Sequence, residues 1–437
     1  MIRRAGVVLA VGCLTLLAVG CLTLLAVGSL TLLAERAVAA QAKTFGGIVP
    51  DQPTDAPLPG EPLAHAANVP YGGGEVLHSN RTHVIFWQPA GSGLTFDPGY
   101  ESLIETFLGH VAAASHSTDT VYGLSGQYTD AQGPAVYDST YGGAVVATDP
   151  LPGNGCTEPL TNPGWTTCLS DTQLEFELQH VVGLDHLPST GDDVYFLVLP
   201  DGLGDCESSG PDFCALGGAT AGSFCGYHSS TPDGSILYAV IPYNAIAGHC
   251  NSADPRPNSD AADPALSTIS HEQMEMITDP NGDAWIDGAG NEVGDLCLGY
   301  FGPTLGGAGA GAWDEVIDGG HYYLQEEWSN RASSCQPRAQ PDSLSFAAPI
   351  RAAPHRPVAF HGRARDPDGT IVSYDWFFGD GRSARGRRVW HAFSRLGSYR
   401  VVLRTTDSWG NWAFYDRVVT VASGLLGNRR RSTPAAA

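Results

Sequence analysis

The chain has 437 residues, with 46 acidic and 23 basic side chains, and its formal net charge is −23. A surface this acidic repels phosphate backbones and anionic lipid headgroups, which excludes nucleic acid and anionic membranes as partners. The charge is uneven, because residues 340–437 hold 15 Arg and seven Asp, whereas residues 1–339 carry the other 39 acidic side chains. The composition therefore predicts two parts of opposite charge that meet near residue 340.

The N-terminus has the pattern of a secretory signal peptide. Arg3 and Arg4 precede an apolar run over residues 5–34, and Ala37-Val38-Ala39 offers a small-residue cleavage site. We expect cleavage near residue 40, so that the mature chain is exported and contacts no membrane. The apolar run contains an eight-residue repeat and is long enough to span a bilayer, so a retained membrane anchor is the alternative.

Eight cysteines lie beyond the signal, all before residue 340. An even number in an exported chain predicts disulfides, although eight cysteines allow 105 pairings. No two of them have the CxxC spacing of a metal cluster. The eight candidates are Cys156, Cys168, Cys206, Cys214, Cys225, Cys250, Cys297 and Cys335.

The part between residues 41 and 339 predicts a leader and one large domain. Residues 41–68 are rich in Pro and Ala and lack hydrophobic periodicity, which predicts a mobile leader. Beyond it, strand and helix patterns alternate, which predicts an α/β domain over residues 69–339 that is large enough for its own core. The predicted strands are 82–87, 193–199 and 236–242, and the predicted helices are 100–114 and the region around 174–182.

A polar helix is predicted after the last of these strands. Residues 267–280 read Ser-Thr-Ile-Ser-His-Glu-Gln-Met-Glu-Met-Ile-Thr-Asp-Pro. Ser267 or Ser270 can cap the N-terminus of this helix, and Pro280 lies just beyond its end.

The same helix carries a candidate metal site. His271 and Glu275 are four residues apart and share one face, with Glu272 between them. This is the layout of the HExxH helix of zinc hydrolases, with Glu in place of the second His. The pattern predicts that His271 and Glu275 bind a divalent metal, zinc by preference, and that Glu272 is the catalytic general base on a metal-bound water.

The third ligand is predicted 21 residues after His271, at Glu292. The arrangement resembles that of zinc peptidases whose third ligand is a downstream Glu, with an Asp one turn later that orients the first His. Asp295 takes that orienting role here. Two carboxylates and one imidazole would neutralise a divalent zinc and weaken its pull on bound water, which favours metal binding over catalysis.

Two further groups of residues are alternatives. The acidic loop after the helix resembles a calcium loop, but Ala284 replaces the glycine expected at its sixth position and no Glu closes it, which indicates a solvated turn. The polar residues of that loop are Asp279, Asn281, Asp283 and Asp287. Four isolated histidines are candidate extra ligands or bases, although a lone His is usually structural: His83, His228, His249 and His321.

A succession of short motifs runs across residues 70–335. The motifs are 71–77, 194–199, 224–228 with Cys250, 270–272, 278–280, 284–285 and 292–297. In this order they resemble the phosphate-induced protein 1, or EXORDIUM-like, family of plant cell-wall proteins and bacterial secreted relatives. The sequence departs from the plant pattern at the insert 251–266 and at the Gly-rich loop 301–312. The resemblance implies an extracellular, wall-facing role and implies no particular reaction.

Residues 340–424 resemble a PKD domain, a small all-β sandwich. The resemblance is carried by Asp-Pro-Asp-Gly-Thr-Ile-Val-Ser-Tyr-Asp-Trp at 366–376, Phe-Gly-Asp-Gly at 378–381 and Gly-Ser-Tyr-Arg-Val-Val-Leu at 397–403. Asp380 is interpreted as a turn residue rather than a ligand. The resemblance implies a noncatalytic spacer or a unit that binds protein or polysaccharide. The Arg-rich tail 425–437 is predicted to be disordered.

The sequence thus supports two functional hypotheses for a secreted or cell-surface protein. The first is a metal-dependent hydrolase of the peptidase type, with a zincin-like, disulfide-bonded α/β domain and an extracellular protein or polysaccharide as its partner. The second is a noncatalytic wall-associated binding protein in which the same residues form a structural metal site or a hydrogen-bonded core network. Zinc is the expected metal and calcium is the alternative.

Overall fold

The computed structural model describes residues 68–156, 165–206, 214–215, 224–246, 250, 254–338, 341–366, 370–407 and 412–423, and the backbone of residues 46–50. The predicted signal peptide and the predicted tail lie outside these residues. Within the described ranges, no helix is both long and apolar enough to cross a membrane.

The first domain is organised around a mixed β-sheet. Its strands are β1 Gly46–Pro50, β2 Asn80–Trp87, β3 Ser139–Ala147, β4 Thr167–Ser170, β5 Asp193–Val198, β6 Leu203–Cys206, β7 Phe224–Ser230 and β8 Leu237–Ile241. Six of them form one sheet in the order β1-β7-β8-β5-β2-β3, while β4 and β6 form a separate parallel pair. Strands β2, β3, β5 and β8 are parallel, and β7 is antiparallel to both of its neighbours. The three predicted strands are confirmed as β2, β5 and β8.

Helices cover both faces of this sheet. They are α1 Tyr100–Ala113, α2 Asp171–Leu184 and α3 Asp263–Thr278. Successive side chains of a strand point to opposite faces. Along β2, Val84 and Phe86 join the core formed with α1 and α3, whereas Ile85 and Trp87 join the core formed with α2. The result is a three-layer α/β domain, and its parallel strands are apolar because both faces are covered.

The prediction of a patternless leader over residues 41–68 is wrong for Gly46–Pro50. This segment forms β1 and pairs antiparallel with β7, with Gly46 opposite His228 and Val49 opposite Gly226. Backbone hydrogen bonds alone can add a short strand to a sheet edge, so the segment needs no alternating side-chain pattern to do so.

Helix α3 begins earlier than predicted. It starts at Asp263 and has Pro264 in its first turn, where the missing N–H of proline costs no hydrogen bond. Ser267 therefore lies inside the helix, and its hydroxyl accepts the Gln325 backbone N–H at 3.1 Å instead of capping. The predicted end just before Pro280 is confirmed, because the last helical residue is Thr278.

Short elements complete the first domain after α3. They are 3-10 turns at Asp295–Cys297 and Gly309–Gly311, and the strand pairs β9 Glu315–Ile317 with β10 Gly320–Tyr322 and β11 Glu327–Ser329 with β12 Ser334–Gln336. A further 3-10 turn, Val121–Gln127, follows α1.

All eight cysteines beyond the signal are paired, which confirms the disulfide prediction. The bonds are Cys156–Cys168, Cys206–Cys214, Cys225–Cys250 and Cys297–Cys335. Three of these sulfurs, from Cys156, Cys168 and Cys206, lie close together, but each is already in a disulfide and so offers no thiolate to a metal.

The second domain is an all-β sandwich with a separate core. Its strands are β13 Asp342–Ala347, β14 Arg351–Ala352, β15 Val358–Arg365, β16 Ile371–Phe377, β17 Ser383–Arg385, β18 Arg388–His391, β19 Gly397–Asp407 and β20 Trp412–Val421. They form a three-stranded sheet, β13-β15-β18, and a five-stranded sheet, β14-β20-β19-β16-β17. Trp376, Val401 and Leu403 are fully buried between them, as the alternation in the sequence predicts.

Asp380 does more than form a turn in this sandwich. One carboxylate oxygen accepts the Arg382 backbone N–H at 3.2 Å, and the other lies 2.8 Å from Nε2 of His391. The His391 ring in turn stacks on Phe378, with ring centroids 3.9 Å apart. The side chain therefore ties the turn to β18, and no described residue joins it in a metal-binding group.

Candidate metal centre

Helix α3 is polar but has no exposed face. All 16 of its residues are buried, including His271, Glu272, Gln273 and Glu275, each at 1% exposure or less. Burying ionisable groups is costly unless they are paired, hydrogen-bonded or bound to a metal. These side chains therefore need partners from other elements.

The main partner of the α3 carboxylates is His228, on β7. Its Nδ1 lies 3.2 Å from an oxygen of Glu272 and 3.6 Å from an oxygen of Glu275. Gly226, two residues earlier on β7, allows this approach, because a Cβ there would lie 2.5 Å from the Thr268 side chain on α3. One ligand atom from each of His228, Glu272 and Glu275 lies close enough to the others to surround a metal ion.

Glu292 lies on the other side of the His228 ring. One of its carboxylate oxygens is 3.8 Å from Nε2 of His228. The predicted set of His271, Glu275 and Glu292 is therefore not brought together as one group; Glu292 faces His228, not His271. At this distance the carboxylate is near the second ring nitrogen of His228 but is not hydrogen-bonded to it.

His271 contacts Glu275 from the opposite direction. Its Nε2 lies 3.1 Å from Oε1 of Glu275 and 3.7 Å from Oδ1 of Asp295, so these three residues form a second group of metal-binding geometry. The backbone N–H groups of Gly294 and Asp295 also donate to Oε1 of Glu275, both at 3.1 Å. Asp295 lies beside His271, where the sequence placed it.

Gln325 lies beside the His271 ring. Its side-chain nitrogen donates to the Gly294 carbonyl at 2.8 Å and lies 3.1 Å from Nδ1 of His271. On the other side of the ring, Nε2 faces Glu275 but is buried without a hydrogen-bond partner among the described residues. His271 thus lies against Glu275, and its predicted role as a metal ligand stays a prediction.

The buried cluster contains more carboxyl groups than imidazoles, and this excess shifts their pKa values. Its members are His228, His271, Glu272, Glu275, Glu292, Asp295 and Glu327. Burial raises the pKa values of Glu292, Asp295 and Glu327 well above their usual range. Burial also raises the pKa of Glu272, to about 7. Burial opposes ionisation of Glu275 as well, but the two neighbouring imidazoles lower its pKa to about 2. Five carboxyl groups thus share two imidazoles.

Several ligating atoms in the cluster are left without hydrogen bonds. Among the described residues, Nε2 of His228, Nε2 of His271, Oε1 of Glu272, Oε2 of Glu275 and both oxygens of Glu327 are buried and lack a hydrogen-bond partner. Unsatisfied buried polar atoms are rare in native proteins and call for an unplaced ion or water. The donor set of one imidazole and two carboxylates fits a divalent metal.

The acidic loop after α3 is a turn, as predicted, but it is not solvated throughout. Oδ1 of Asp279 accepts the backbone N–H groups of Asp283 and Ala284 at 2.8 and 2.7 Å. Asp279 is nevertheless fully buried, and its Oδ2 has no hydrogen-bond partner among the described residues. Asp287 similarly accepts the backbone N–H groups of Ala289 and Asn291.

The isolated histidines have different surroundings. His83 lies 2.9 Å from Asp193 and stacks on Tyr195, so it has a structural role. His321 stacks on Trp313 at 4.0 Å, and His249 lies outside the described residues. Only His228, of the three that are described, reaches the cluster; its signal in the sequence was a lone polar side chain in an otherwise buried strand pattern.

Comparison with known proteins assigns the second domain. Residues 338–421 match the family model described as PKD domain. The C-terminal part of the chain is therefore a PKD domain.

The curated relatives share this module. The chain is 43% identical over 63 residues to collagenase ColQ1 of Bacillus cereus strain Q1, and 37% identical over 54 residues to collagenase ColA of Clostridium perfringens. These segments cover 14% and 12% of this chain but only 6% and 5% of the two collagenases. The similarity lies over the PKD region, so it does not extend to their catalytic parts.

Two solved PKD domains are similar in sequence to part of this chain. The PKD1 domain of Vibrio anguillarum Epp is 28% identical and covers 19% of this chain and 94% of that domain, with a TM-score of 0.17. The PKD1 domain of the Vibrio cholerae metalloprotease PrtV is also 28% identical and covers 19% of this chain and 98% of that domain, with a TM-score of 0.18. The resemblance of residues 70–335 to the EXORDIUM-like family, and the zincin-like form of the first domain, stay predictions.

Proposed function

We propose that this chain is an exported, noncatalytic binding protein whose first domain is built around a closed divalent-metal centre. The observation that carries the proposal is the contact of His228 with Glu272 and Glu275, where buried ligating atoms lack hydrogen-bond partners among the described residues. A bound cation would supply the positive charge that the cluster needs.

Zinc suits this donor set better than calcium. Calcium takes six to eight oxygen ligands, whereas an imidazole nitrogen with two carboxylates is a common zinc environment. His228, Glu272 and Glu275 would hold the ion, and His271 would orient Glu275. The bound ion would tie β7 to α3 and thereby stabilise the domain.

Two features favour a structural centre over a catalytic one. His228, Glu272 and Glu275 are each 1% exposed or less, whereas a catalytic metal keeps a position open to water and substrate. Glu272, the predicted general base, lies with the ligands and contacts His228, so it is not free to act on a metal-bound water.

An extracellular location fits the rest of the chain. The four disulfides of the first domain persist in oxidising compartments, and the N-terminal pattern is that of a secretory signal. The PKD domain would act as a noncatalytic spacer or attachment unit toward an extracellular protein or polysaccharide.

A metal-dependent hydrolase of the peptidase type is the second candidate. It is favoured by the HExxE arrangement of His271, Glu272 and Glu275 on one helix, and by PKD modules that resemble those of two collagenases and a metalloprotease. In this reading Glu272 leaves the ligand set and acts as the base.

One experiment separates these candidates. The full mature chain is purified without chelator, its metal content is measured, and its hydrolysis of a broad peptide library is assayed beside that of Glu272→Gln. The binding-protein proposal expects about one metal per chain, loss of metal in Glu272→Gln and no hydrolysis by either protein. Metal retained in Glu272→Gln, together with hydrolysis by the wild type alone, would establish the hydrolase. Metal-free wild type that does not take up zinc would overturn both.

A further inference from the structure

A groove of about 470 Å³ opens beside α2, on the face of the sheet opposite α3. The fully buried Trp87, the last residue of β2, forms its floor. The loop after β3 and the first three turns of α2 form its walls. The lining residues are Trp87, Asp149, Pro150, Pro152, Thr172, Gln173, Phe176, Glu177 and His180.

The strand order of the sheet favours ligand binding at this groove. Strand β2 lies between β3 and β5 in the sheet. The chain runs from β2 through α1 to β3, and then through α2 to β5 on the other side of β2. Because α1 and α2 lie on opposite faces, the order of the parallel strands reverses at β2. In open α/β sheets, ligands bind in the crevice outside the carboxyl ends of the strands at such a reversal. The groove lies at the carboxyl ends of β2 and β3.

Glu177 lies on α2 and is only 6% exposed. Its Oε1 has no hydrogen-bond partner among the described residues, so no contact within the fold compensates for the burial of this oxygen. Burial, with a smaller contribution from the charge of Asp149, raises its pKa to about 7. A carboxyl group kept in a groove without a partner costs stability, so a ligand that supplies the partner would gain correspondingly.

The other polar groups of the groove add negative charge and an aromatic face. Asp149 lies 3.6 Å from His180 and has no other ion-pair partner among the described residues. Phe176 is 70% exposed, and its ring is nearly parallel to that of His180, one turn further along α2. No Lys or Arg lines the groove.

The start of α2 does not make the groove an anion site. Ser170 precedes the helix, and its backbone N–H is bound by the side chain of Gln173 at 3.1 Å in a capping box. A capped N-terminus offers fewer free N–H groups to an anion, and the helix field falls off within the first turn. Glu177 lies beyond that turn.

From these observations we infer that the groove binds a basic side chain of a peptide, with a guanidinium or ammonium group against Glu177 and Asp149 and its apolar stem against Phe176. Carboxylates that accept hydrogen bonds from a cation, next to an exposed aromatic face, are the chemistry that recognises such a group. This site is separate from the metal centre and does not depend on it.

The test compares two peptides that differ only in charge. Acetyl-Gly-Arg-Gly-amide and its citrulline counterpart are titrated into the full mature chain, and binding is followed by ligand-observed NMR. Citrulline replaces the guanidinium by a neutral urea of nearly the same shape. The arginine peptide is expected to bind about tenfold more tightly or better, because a hydrogen bond to a charged group is stronger than one to a neutral group.

Three variants locate the site. Glu177→Gln should weaken arginine binding to the level of the citrulline peptide, and Phe176→Ala should weaken both peptides. Glu175→Gln, on the same helix but outside the groove, should change neither. Phe176 is exposed, so its variant keeps the fold even if Glu177→Gln does not. Equal binding of the two peptides, no binding of either, or arginine binding that persists in a folded Glu177→Gln protein would each overturn the inference.

Discussion

The side-chain amide of Gln325 contacts Nδ1 of His271 at 3.1 Å while it donates to the Gly294 carbonyl at 2.8 Å. Nε2 of the same ring faces Glu275, 3.1 Å away. Gly294 allows this packing, because a Cβ at that residue would lie 2.6 Å from the ring. The first residue of the HExxE motif is therefore fixed between Gln325 and Glu275.

Replacing Gln325 by alanine should lower metal affinity without removing any ligand. The change removes the contact that holds the His271 ring against Glu275, so that Glu275 is less well oriented, and loss of such outer partners typically costs about 10- to 100-fold in affinity. Competition with a chromophoric chelator measures the affinity. Gln179→Ala, an exposed position on α2, is the matched control. Unchanged affinity in Gln325→Ala would show that the relay through His271 has no effect on the metal.

Two histidine variants distinguish the proposed ligands from those that the sequence predicted. His228→Ala should abolish metal binding, since it removes the only imidazole among the ligands. His271→Gln should retain metal with reduced affinity, because the amide can still donate to Glu275. Metal content of each purified variant is the measurement. The reverse result, with metal kept in His228→Ala and lost in His271→Gln, would restore His271 as the ligand.

Removal of the metal should destabilise the first domain. A ligand present at 1,000 times its dissociation constant adds about 4 kcal/mol to the free energy of unfolding. For a domain of this size that corresponds to about 10 °C in Tm. Calorimetry of the full chain before and after treatment with a chelator tests this, and zinc added back should restore the original Tm. A chelator-insensitive Tm in metal-bearing protein would mean that the ion is not structural.

The free energy of unfolding should fall as pH rises, in part because of Glu177. Its pKa is raised from 4.5 to about 7 in the folded state, so between these values the folded protein binds a proton that the unfolded chain has lost. This contribution is fully present below about pH 4.5 and is lost by about pH 7, with a size of order 2 kcal/mol. Urea unfolding at several pH values should show a shallower decline in Glu177→Gln than in wild type, while Glu175→Gln should follow the wild type.

The PKD domain should unfold independently of the metal centre. Its buried core contains only residues from Phe346 to Val421, with the fully buried Trp376 at its centre. Trp376→Ala should destabilise this domain by about 3 to 5 kcal/mol and leave the metal content of the chain unchanged. Loss of metal in this variant would show that the two parts share a cooperative unit.

Local patterns in the sequence were sufficient to predict much of the fold. Strand β2, strand β5, helix α1 and the end of α3 follow from hydrophobic periodicity and from proline, because these signals act through neighbouring residues. The oxidised cysteines follow from their even number and from the predicted signal peptide. The start of α3 was misplaced because a serine can cap a helix locally, but here Ser267 accepts a hydrogen bond from Gln325, 58 residues away.

The surroundings of the proposed metal centre were decided by tertiary structure. His228 meets Glu272 across 44 residues of sequence, and Gln325 meets His271 across 54, so no local spacing records either contact. The HExxE pattern identifies His271 and Glu275 on one face of a helix, and Glu275 stays in the proposed ligand set on that basis. Which groups lie against that face depends on other elements, because side chains far away in sequence pack on it. Tertiary structure also decides how the eight cysteines pair, because the fold determines which strands and loops lie together. The composition of the chain carries no information about this pairing.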